Sequence, residues 1–193
     1  MDYEHKAKAV ADCLLSYRRD ESGWKVCRKS NDVVVSWRPS SEFPGNVYKG
    51  EGIVSGTPEN VWECLKPVPN GLRVKWDSNV KRFELLEQIK EDISICRTVT
   101  PSAAMGIIAP RDFVDVILVK QYEDGSISSN GAFPSYPPAL HTHMEPSKTQ
   151  VSSFFQTDLS GLLPRSVVDS FFPSSMTEFY SNLAKAVKSL KDI

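Results

Sequence analysis

The sequence predicts an α+β fold in which an antiparallel β-sheet grips one long C-terminal helix. Near the C-terminus, apolar side chains recur every three or four residues, which places them on one face of an α-helix. These side chains are Phe172, Met176, Phe179, Leu183, Val187 and Leu190. Earlier in the chain, short segments of strand composition are separated by tight turns, as in an antiparallel sheet. A one-sided helix must cover a broad apolar surface, and a twisted sheet beneath it leaves room for a cavity.

The N-terminal half carries two helix signals and three strands. Residues 3–19 have one apolar side and end in Arg18 and Arg19, whose positive charges suit the C-terminus of a helix. At Thr57, a capping hydroxyl group precedes a proline, which the first turn of a helix tolerates. The predicted strands cover residues 24–28, 33–38 and 47–54, and a helical turn is predicted over residues 72–76.

The second half is rich in strands until the C-terminal helix begins. Predicted strands cover residues 80–89, 93–99, 111–122, 127–132 and 150–159. Residues 100–110, between the second and third of these, are short and apolar, which distinguishes them from a solvated loop. Residues 133–147 hold four of the 13 prolines and show no periodicity, which predicts a loop. Pro173 predicts either a kink in the C-terminal helix or its division into two helices.

Length and composition exclude several classes of protein. With 193 residues, of which 40% are hydrophobic and 24% charged, the chain fits one globular domain over residues 1–193. A net charge of −1 offers no basic footprint for nucleic acid. The apolar runs are far shorter than the ~18 residues of a membrane span, and residues 1–6 are too polar for a signal peptide. The four cysteines form no CxxC pair, so they are interpreted as reduced core thiols of a cytoplasmic protein.

No pattern in the sequence predicts a catalytic or metal site. His141 and His143 offer two metal ligands without a third at a recognisable spacing, and we interpret them as part of a surface loop. Asp112 and Asp115 lie three residues apart on a predicted strand, so they face opposite sides and cannot act as a carboxylate pair. The sequence therefore implies no cofactor and no metal.

One motif and several shorter stretches carry a family resemblance. Residues 110–115 read PRDFVD, and matching stretches occur at residues 37–39, 43–46, 48–52, 74–77, 147–149, 158–164, 167–173 and 176–180. In these stretches the chain resembles the StAR-related lipid transfer (START) domain family, and within it the soluble single-domain sterol-binding subgroup. The resemblance implies a helix-grip fold, in which a curved antiparallel sheet grips the C-terminal helix around a tunnel for one lipid. Residues 100–110 would then be the omega loop at the mouth of that tunnel.

The sequence departs from the family pattern in two places. Several steroid-carrying members place an acid and an arginine inside the tunnel, at positions that correspond to Thr98 and Ile117 here. The resemblance therefore implies that neutral hydroxyl groups orient the ligand. Residues 131–146 are a shortened form of a region that holds a loop and a complete strand in the family. This departure predicts either a sheet that lacks one strand or a variant isoform.

Strand alternation and the helix stripe yield candidate lipid-binding residues. Residues on the same face of their strands as Thr98 and Ile117 should face the tunnel, together with the omega loop and the apolar side of the helix. The candidates are Thr98, Thr100, Met105, Ile107, Phe113, Asp115, Ile117, Ser128, Phe155, Thr157, Phe172, Phe179 and Leu183. An apolar wall with few hydroxyl groups suits a steroid. The same residues would also fit an ordinary packed core, and the sequence leaves both interpretations open.

The resemblance implies a non-enzymatic carrier of one sterol or steroid-like lipid, of the cholesterol, oxysterol or bile acid class. Such a carrier would be a cytoplasmic monomer that touches intracellular membranes transiently and binds no nucleic acid. Two alternatives stay open. One is a small-molecule enzyme of the helix-grip type, a cyclase or hydrolase, which needs acid–base residues that converge in the cavity. The other is a shortened variant that no longer binds lipid.

Overall fold

The computed structural model describes residues 2–42, 44–132, 139–145, 147–156 and 163–191. Its elements, in chain order, are α1 (Tyr3–Arg19), β1 (Lys25–Lys29), β2 (Val34–Pro39), β3 (Asn46–Ser55), α2 (Pro58–Leu65), α3 (Arg73–Trp76), β4 (Arg82–Gln88), β5 (Ile93–Val99), β6 (Asp112–Gln121), β7 (Ile127–Ala132), β8 (Ala139–Glu145), β9 (Lys148–Phe155) and α4 (Arg165–Lys191). A single 3₁₀ turn, Ala104–Gly106, lies between β5 and β6. The predicted α+β fold with a long C-terminal helix is confirmed.

The nine described strands form one antiparallel sheet in the order β1-β2-β3-β9-β8-β7-β6-β5-β4. The strands form two runs, β1 to β3 and β4 to β9, within which each strand pairs with its neighbour in sequence. Eight residue pairs between β3 and β9 join the last strands of the two runs. That junction places the strand before α4 beside the N-terminal strands. The helix therefore returns over the sheet formed by β1, β2 and β3.

The C-terminal helix covers one face of the sheet, which we call the inner face. All but the last member of the predicted apolar stripe of α4 are buried. They pack in one cluster with Val35, Tyr48 and Val151 of the sheet and with Val61 and Leu65 of α2. Burial of an aliphatic or aromatic side chain stabilises the fold by roughly 1.5–3 kcal/mol. The stripe is therefore sufficient to hold α4 on the sheet.

Tyr180 lies at the closest approach of α4 to the sheet and is fully buried. Its hydroxyl group lies 2.9 Å from the carbonyl oxygen of Gly50 and 3.0 Å from that of Val151. A Cβ atom on Gly50 would lie 3.0 Å from the tyrosine ring, and one on Gly52 would lie 2.9 Å from it. The two glycines of β3 therefore make room for the ring whose hydroxyl group ties the helix to the sheet.

The N-terminal helix covers the opposite, outer face. Asp2 caps α1 by accepting a hydrogen bond of 3.0 Å from the backbone N–H of His5. Ala7 and Ala11 of α1 pack against Val116 and Leu118 of β6. Because side chains of a strand alternate between faces, the odd-numbered residues of β6 must point to the inner face. This alternation decides which residues of the sheet can reach a ligand.

The shortened segment contains a strand, so the predicted loop over residues 133–147 is wrong for Ala139–Glu145. This strand, β8, lies between β7 and β9 and pairs with both. The four prolines of the segment, at positions 134, 137, 138 and 146, lie outside its bounds. Each of its residues therefore keeps the backbone N–H that a central strand needs. The prediction of a sheet that lacks one strand is wrong for the same reason.

Two smaller predictions concern the C-terminal helix and the cysteines. Pro173 does not divide the C-terminal helix, because α4 runs as one helix from Arg165 to Lys191 with Pro173 buried inside it. The proline lacks the N–H that would donate to the carbonyl oxygen of Asp169. Its own carbonyl oxygen accepts a hydrogen bond of 2.7 Å from Thr177 Oγ1. All four cysteines are free thiols, as expected. Only two of them belong to the core, however, because Cys27 is exposed and Cys13 is half-buried.

Candidate functional site

A cavity lies between α4, the omega loop and the inner face of β6 and β9. Its empty volume is about 770 Å³, which includes the open space at its mouth. Most of the wall is apolar, and it consists of Arg73, Asn79, Thr100, Pro101, Ala103, Ile108, Arg111, Phe113, Ser153, Phe155, Phe171, Phe172, Ser175, Met176 and Phe179.

Aromatic side chains of α4 form the apolar side of the wall. The ring of Phe172 lies 4.5 Å from that of Phe155 on β9, 5.5 Å from that of Tyr48 on β3 and 5.5 Å from that of Phe171, measured between centroids. Such aromatic pairs contribute roughly 0.5–1.5 kcal/mol beyond their buried area. Displacement of the first half of α4 would break the contacts of Phe172 with Phe155 and Tyr48, so in water the helix favours the closed position.

Polar groups at the other side of the wall are bonded to one another. Arg73 Nε donates to Asp77 Oδ2 at 3.1 Å, and the side chain of Asp77 is fully buried. The guanidinium group of Arg73 also lies 5.6 Å from the ring centroid of Phe179. Ser175 Oγ of α4 donates to Asn79 Oδ1 at 2.8 Å. These bonds connect α4 to the segment between α3 and β4, and they leave the wall predominantly apolar.

The omega loop closes the third side. Its ends are held together by hydrogen bonds from Thr100 N to Arg111 O, at 2.8 Å, and from Arg111 N to Thr100 Oγ1, at 3.0 Å. Within the loop, Ala103 pairs with Ile108, and between them Ala104 and Met105 have positive φ angles of 50° and 55°. For a residue with a Cβ atom this conformation costs roughly 1–2 kcal/mol.

The loop has a buried side and an exposed side. Ile108 is buried and forms part of the wall, whereas Met105 is fully exposed and Ile107 is 54% exposed. The tip of the loop thus presents two large apolar side chains to solvent. The candidates Met105 and Ile107 therefore do not line the cavity in this structure.

A buried acid lies deeper on the inner face. Asp115 follows Phe113 by two residues on β6 and is 3% exposed. Its Oδ1 atom has no hydrogen-bond partner among the described residues. Burial raises the pKa of this carboxyl group to about 7. The carboxyl group of Asp115 is therefore neither paired with a cation in the described part of the chain nor fully ionised at neutral pH.

The structure distributes the candidate residues over several places. The wall contains Thr100, Phe113, Phe155, Phe172 and Phe179. Thr98, Asp115 and Ile117 are buried on the same face of the sheet but outside the wall. Leu183 is part of the core between α4 and the sheet. Thr157 lies outside the described residues.

Ser128 faces the opposite side of the sheet. It pairs with Lys120 of β6, which shares a face with Leu118 and hence with α1. Its hydroxyl group lies 3.0 Å from that of Tyr122 and accepts a hydrogen bond of 2.8 Å from Asn130 Nδ2. The side chain thus belongs to the polar contacts under α1.

The wall also contains residues that the sequence reasoning missed. Arg73, Asn79, Ser153, Phe171 and Ser175 line the cavity without having been candidates. A signal existed for α4, because Ser175 lies one helical turn from Phe172 and Phe179 and so shares their side. No comparable signal existed for Arg73, which reaches the cavity through the packing of α3 against α4, or for Asn79, which follows α3 and is bonded to Ser175 of α4.

An antiparallel sheet that holds a C-terminal helix over an apolar cavity defines the class of helix-grip proteins that bind small apolar ligands. Residues 4–131 match the family model of the START domain. The chain is 58% identical to the StAR-related lipid transfer protein 5 of Bos taurus, over 94% of each chain. It is 56% identical to that of Homo sapiens, also over 94% of each.

The same similarity holds for a solved structure. The chain superposes on human StAR-related lipid transfer protein 5 with a TM-score of 0.93, at 53% identity and with 98% of each chain covered. The chain therefore belongs to the START domain family of lipid transfer proteins. In the described part of the chain, no helix is both long and apolar enough to cross a membrane.

Proposed function

We propose that this protein carries one sterol or steroid-like lipid, of the cholesterol, oxysterol or bile acid class, from one membrane to another. The observation that carries the proposal is the apolar cavity under α4, closed on one side by a loop with an exposed apolar tip. A steroid offers a large apolar body and few hydroxyl groups, which matches a wall of aromatic and aliphatic side chains with a few polar groups. The lipid-transfer names of its close relatives support the same function.

The route of the lipid follows from the two sides of the omega loop. In water, Ile108 and the α4 rings are buried around the same cavity, so opening exposes apolar surface and is unfavourable. At a membrane, Met105 and Ile107 can enter the lipid layer, and the surface exposed by opening meets acyl chains instead of water. We infer that the loop and α4 separate only there, that one lipid enters, and that the protein closes again in the cytoplasm. This cycle requires only transient contact with the membrane and a monomeric protein.

The two alternatives make different demands on the cavity. An enzyme of the cyclase or hydrolase type has one observation in its favour, the raised pKa of Asp115. Acid–base catalysis also needs a group that the substrate can reach together with this acid, and the described residues near Asp115 supply a thiol, Cys96, and a hydroxyl group, Thr98. A variant unable to bind lipid is less consistent with β8, which restores the sheet beside the cavity.

Native mass spectrometry after incubation with a mixture of lipids tests the proposal. We expect one steroid per protein molecule, and we expect the protein to move that steroid from donor to acceptor vesicles. Ser175→Trp should abolish both, because the indole would fill the cavity that Ser175 lines. Ser174→Trp is the matched control, since Ser174 is exposed on the same helix.

The outcomes separate the three functions. A steroid adduct that Ser175→Trp removes and Ser174→Trp retains supports the carrier. Conversion of a bound lipid into a product of different mass would indicate an enzyme instead. A folded protein with neither adduct nor product would contradict the carrier and favour the variant unable to bind lipid.

A further inference from the structure

The position of Asp115 on β6 directs its side chain into the space beneath α4. Phe113 lines the cavity, while Val116 and Leu118 of the same strand pack against α1 on the outer face. Alternation along the strand therefore gives Asp115 the face of Phe113, about 7 Å further along the strand from it. Asp115 thus lies outside the wall, one inward-facing position further along β6 than Phe113.

The described surroundings of Asp115 leave its Oδ1 atom without a hydrogen bond. Cys96 is its partner across β5, and Thr98 and Ile117 flank it on the same face. All are buried, and none of them carries a positive charge. The Oδ1 atom is without a hydrogen-bond partner among the described residues. A buried polar atom without a partner is unfavourable, so a ligand that supplies one gains affinity relative to a ligand that does not.

Thr98 and Ile117, the two candidate residues beside Asp115 on the inner face, carry uncharged side chains. The acid of this chain lies instead at Asp115, between Phe113 and Ile117 on β6. Because burial raises the pKa of Asp115 to about 7, a neutral carboxyl group is available near neutral pH. Such a group can donate one hydrogen bond and accept others, which matches a hydroxyl group rather than a hydrocarbon.

We propose that Asp115 determines ligand specificity: its carboxyl group hydrogen-bonds a hydroxyl group at the inner end of the bound steroid and thereby selects hydroxylated ligands over their deoxy analogues. This inference rests on the proposed carrier function and specifies which chemical feature of the ligand the protein recognises. The interaction needs no cation in the cavity. It differs in this respect from recognition by a buried ion pair.

Matched ligands that differ by one hydroxyl group test this role. Cholesterol is compared with cholest-5-ene, and lithocholic acid with 5β-cholanic acid, each supplied from cyclodextrin. The pair that the unaltered protein binds more tightly is then used with the variants. Asp115→Leu and Asp115→Ala remove the carboxyl group with a larger and a smaller side chain. Whichever of the two melts cooperatively, and is therefore folded, is used for the binding measurements. Asp115→Asn retains a donor and an acceptor, and Asp112→Asn is the control on the outer face of the same strand, where Asp112 is exposed.

We expect the unaltered protein to prefer the hydroxylated member by about tenfold or more, as a hydrogen bond to an otherwise unpaired buried group would give. Asp115→Leu or Asp115→Ala should reduce this preference to about twofold or less, mainly by lowering the affinity for the hydroxylated ligand. Asp115→Asn and Asp112→Asn should keep the preference. A preference that persists in Asp115→Leu or Asp115→Ala, or is missing in the unaltered protein, overturns the role of Asp115 and leaves the carrier function standing. If the unaltered protein binds neither pair, the carrier function is overturned together with this inference.

Discussion

Tyr48 Oη donates a hydrogen bond of 2.7 Å to Asp169 Oδ1, which joins β3 to the second turn of α4. Burial and the neighbouring carboxylate raise the pKa of Tyr48, so the phenol remains protonated and able to donate throughout the physiological pH range. Asn46 Nδ2 donates to the same oxygen at 3.3 Å. These bonds hold the half of α4 that carries Phe171 and Phe172 over the cavity, and so they resist the opening that ligand exchange requires.

Loss of this contact should therefore loosen the helix. Tyr48→Phe should lower the free energy of unfolding by about 1–2 kcal/mol and should accelerate lipid release in stopped-flow measurements. Tyr122→Phe is the control, because it removes a tyrosine hydroxyl contact under α1, at Ser128, and should affect stability alone. Equal release rates for the two variants would contradict a role of Tyr48 in holding the helix closed.

Close packing of β3 against Tyr180 predicts a strong effect of a single methyl group. A Cβ atom on Gly52 would lie 2.2 Å from the carbonyl oxygen of Asp32 and 2.9 Å from the ring of Tyr180. Gly52→Ala should therefore destabilise the protein by about 1–3 kcal/mol, through displacement of β3 or α4. Ser55→Ala, at an exposed position of the same strand, should change the stability by less than about 0.5 kcal/mol in urea unfolding.

The two sides of α4 should respond differently to a change of charge. Phe179 is 6% exposed, so Phe179→Asp would bury a carboxylate beside Trp76 and Tyr180 and should cost several kcal/mol. Glu178 is exposed and accepts a hydrogen bond of 2.8 Å from Ser78 Oγ, which a glutamine can also accept. Glu178→Gln should thus leave the melting temperature almost unchanged. Similar thermal shifts for the two variants would argue against the inner position of Phe179.

The raised pKa of Asp115 predicts that stability falls as the pH rises. Burial raises it from 3.8 to about 7, so between these pH values the folded protein holds a proton that the unfolded chain has released. The resulting loss of stability is complete only above pH ~7 and amounts to about 2–3 kcal/mol between pH 5 and pH 8. Asp115→Asn should remove this decline, measured by urea unfolding across the pH range.

Asp112→Asn is the control for the pH experiment, because the pKa of Asp112 is shifted downward, opposite to that of Asp115. Arg97 Nε donates to Asp112 Oδ1 at 2.9 Å, and this hydrogen bond lowers the pKa of Asp112. A lowered pKa stabilises the folded state at neutral pH and loses that effect as the pH falls through the folded pKa. Asp112→Asn should therefore leave the decline between pH 5 and pH 8 in place. A decline that persists equally in Asp115→Asn would assign it to another group.

Substitutions at the exposed tip of the omega loop should change the rate of lipid transfer without changing the stability of the protein. Met105→Asp and Ile107→Asp should hardly change the melting temperature, because both side chains already face solvent. They should slow sterol extraction from neutral vesicles severalfold, since a carboxylate at the tip opposes entry into the lipid layer. Leu86→Asp places the same charge at an exposed apolar position on β4 and should not slow extraction. Equal effects of all three would argue against contact through the loop tip.

Much of the fold was predictable because its signals are local. The bounds predicted for β5 and β7, Ile93–Val99 and Ile127–Ala132, agree with the structure, since tight turns and changes of composition mark both ends. Thr57 caps α2 by accepting a hydrogen bond from the backbone N–H of Asn60, as its position before a proline predicted. The strand β8 was not predicted, because the prolines just outside its bounds indicate a loop. Its stability comes from pairing with two neighbouring strands, which the local sequence does not reveal.

The candidate site was predictable only where periodicity decides the direction of a side chain. The stripe of α4 and the alternation along β6 identified Phe172, Phe179 and Phe113, because a helix or strand turns each residue by a constant angle. The omega loop has no such period, and its positive φ angles turn Met105 away from the wall. Its direction could therefore be read only from the structure.

The sequence by itself determined the family, the order of elements apart from β8, and the apolar face of α4, because these depend on residue types and on their spacing along the chain. Only the tertiary structure determined which residues that are distant in the sequence come into contact. It brings Tyr180 against Gly50, Arg73 to the wall of the cavity, and Asp115 into a buried position without a partner in the described part of the chain. The reason is physical: burial, and with it the pKa of Asp115, depends on residues far apart in sequence that only the folded chain brings together.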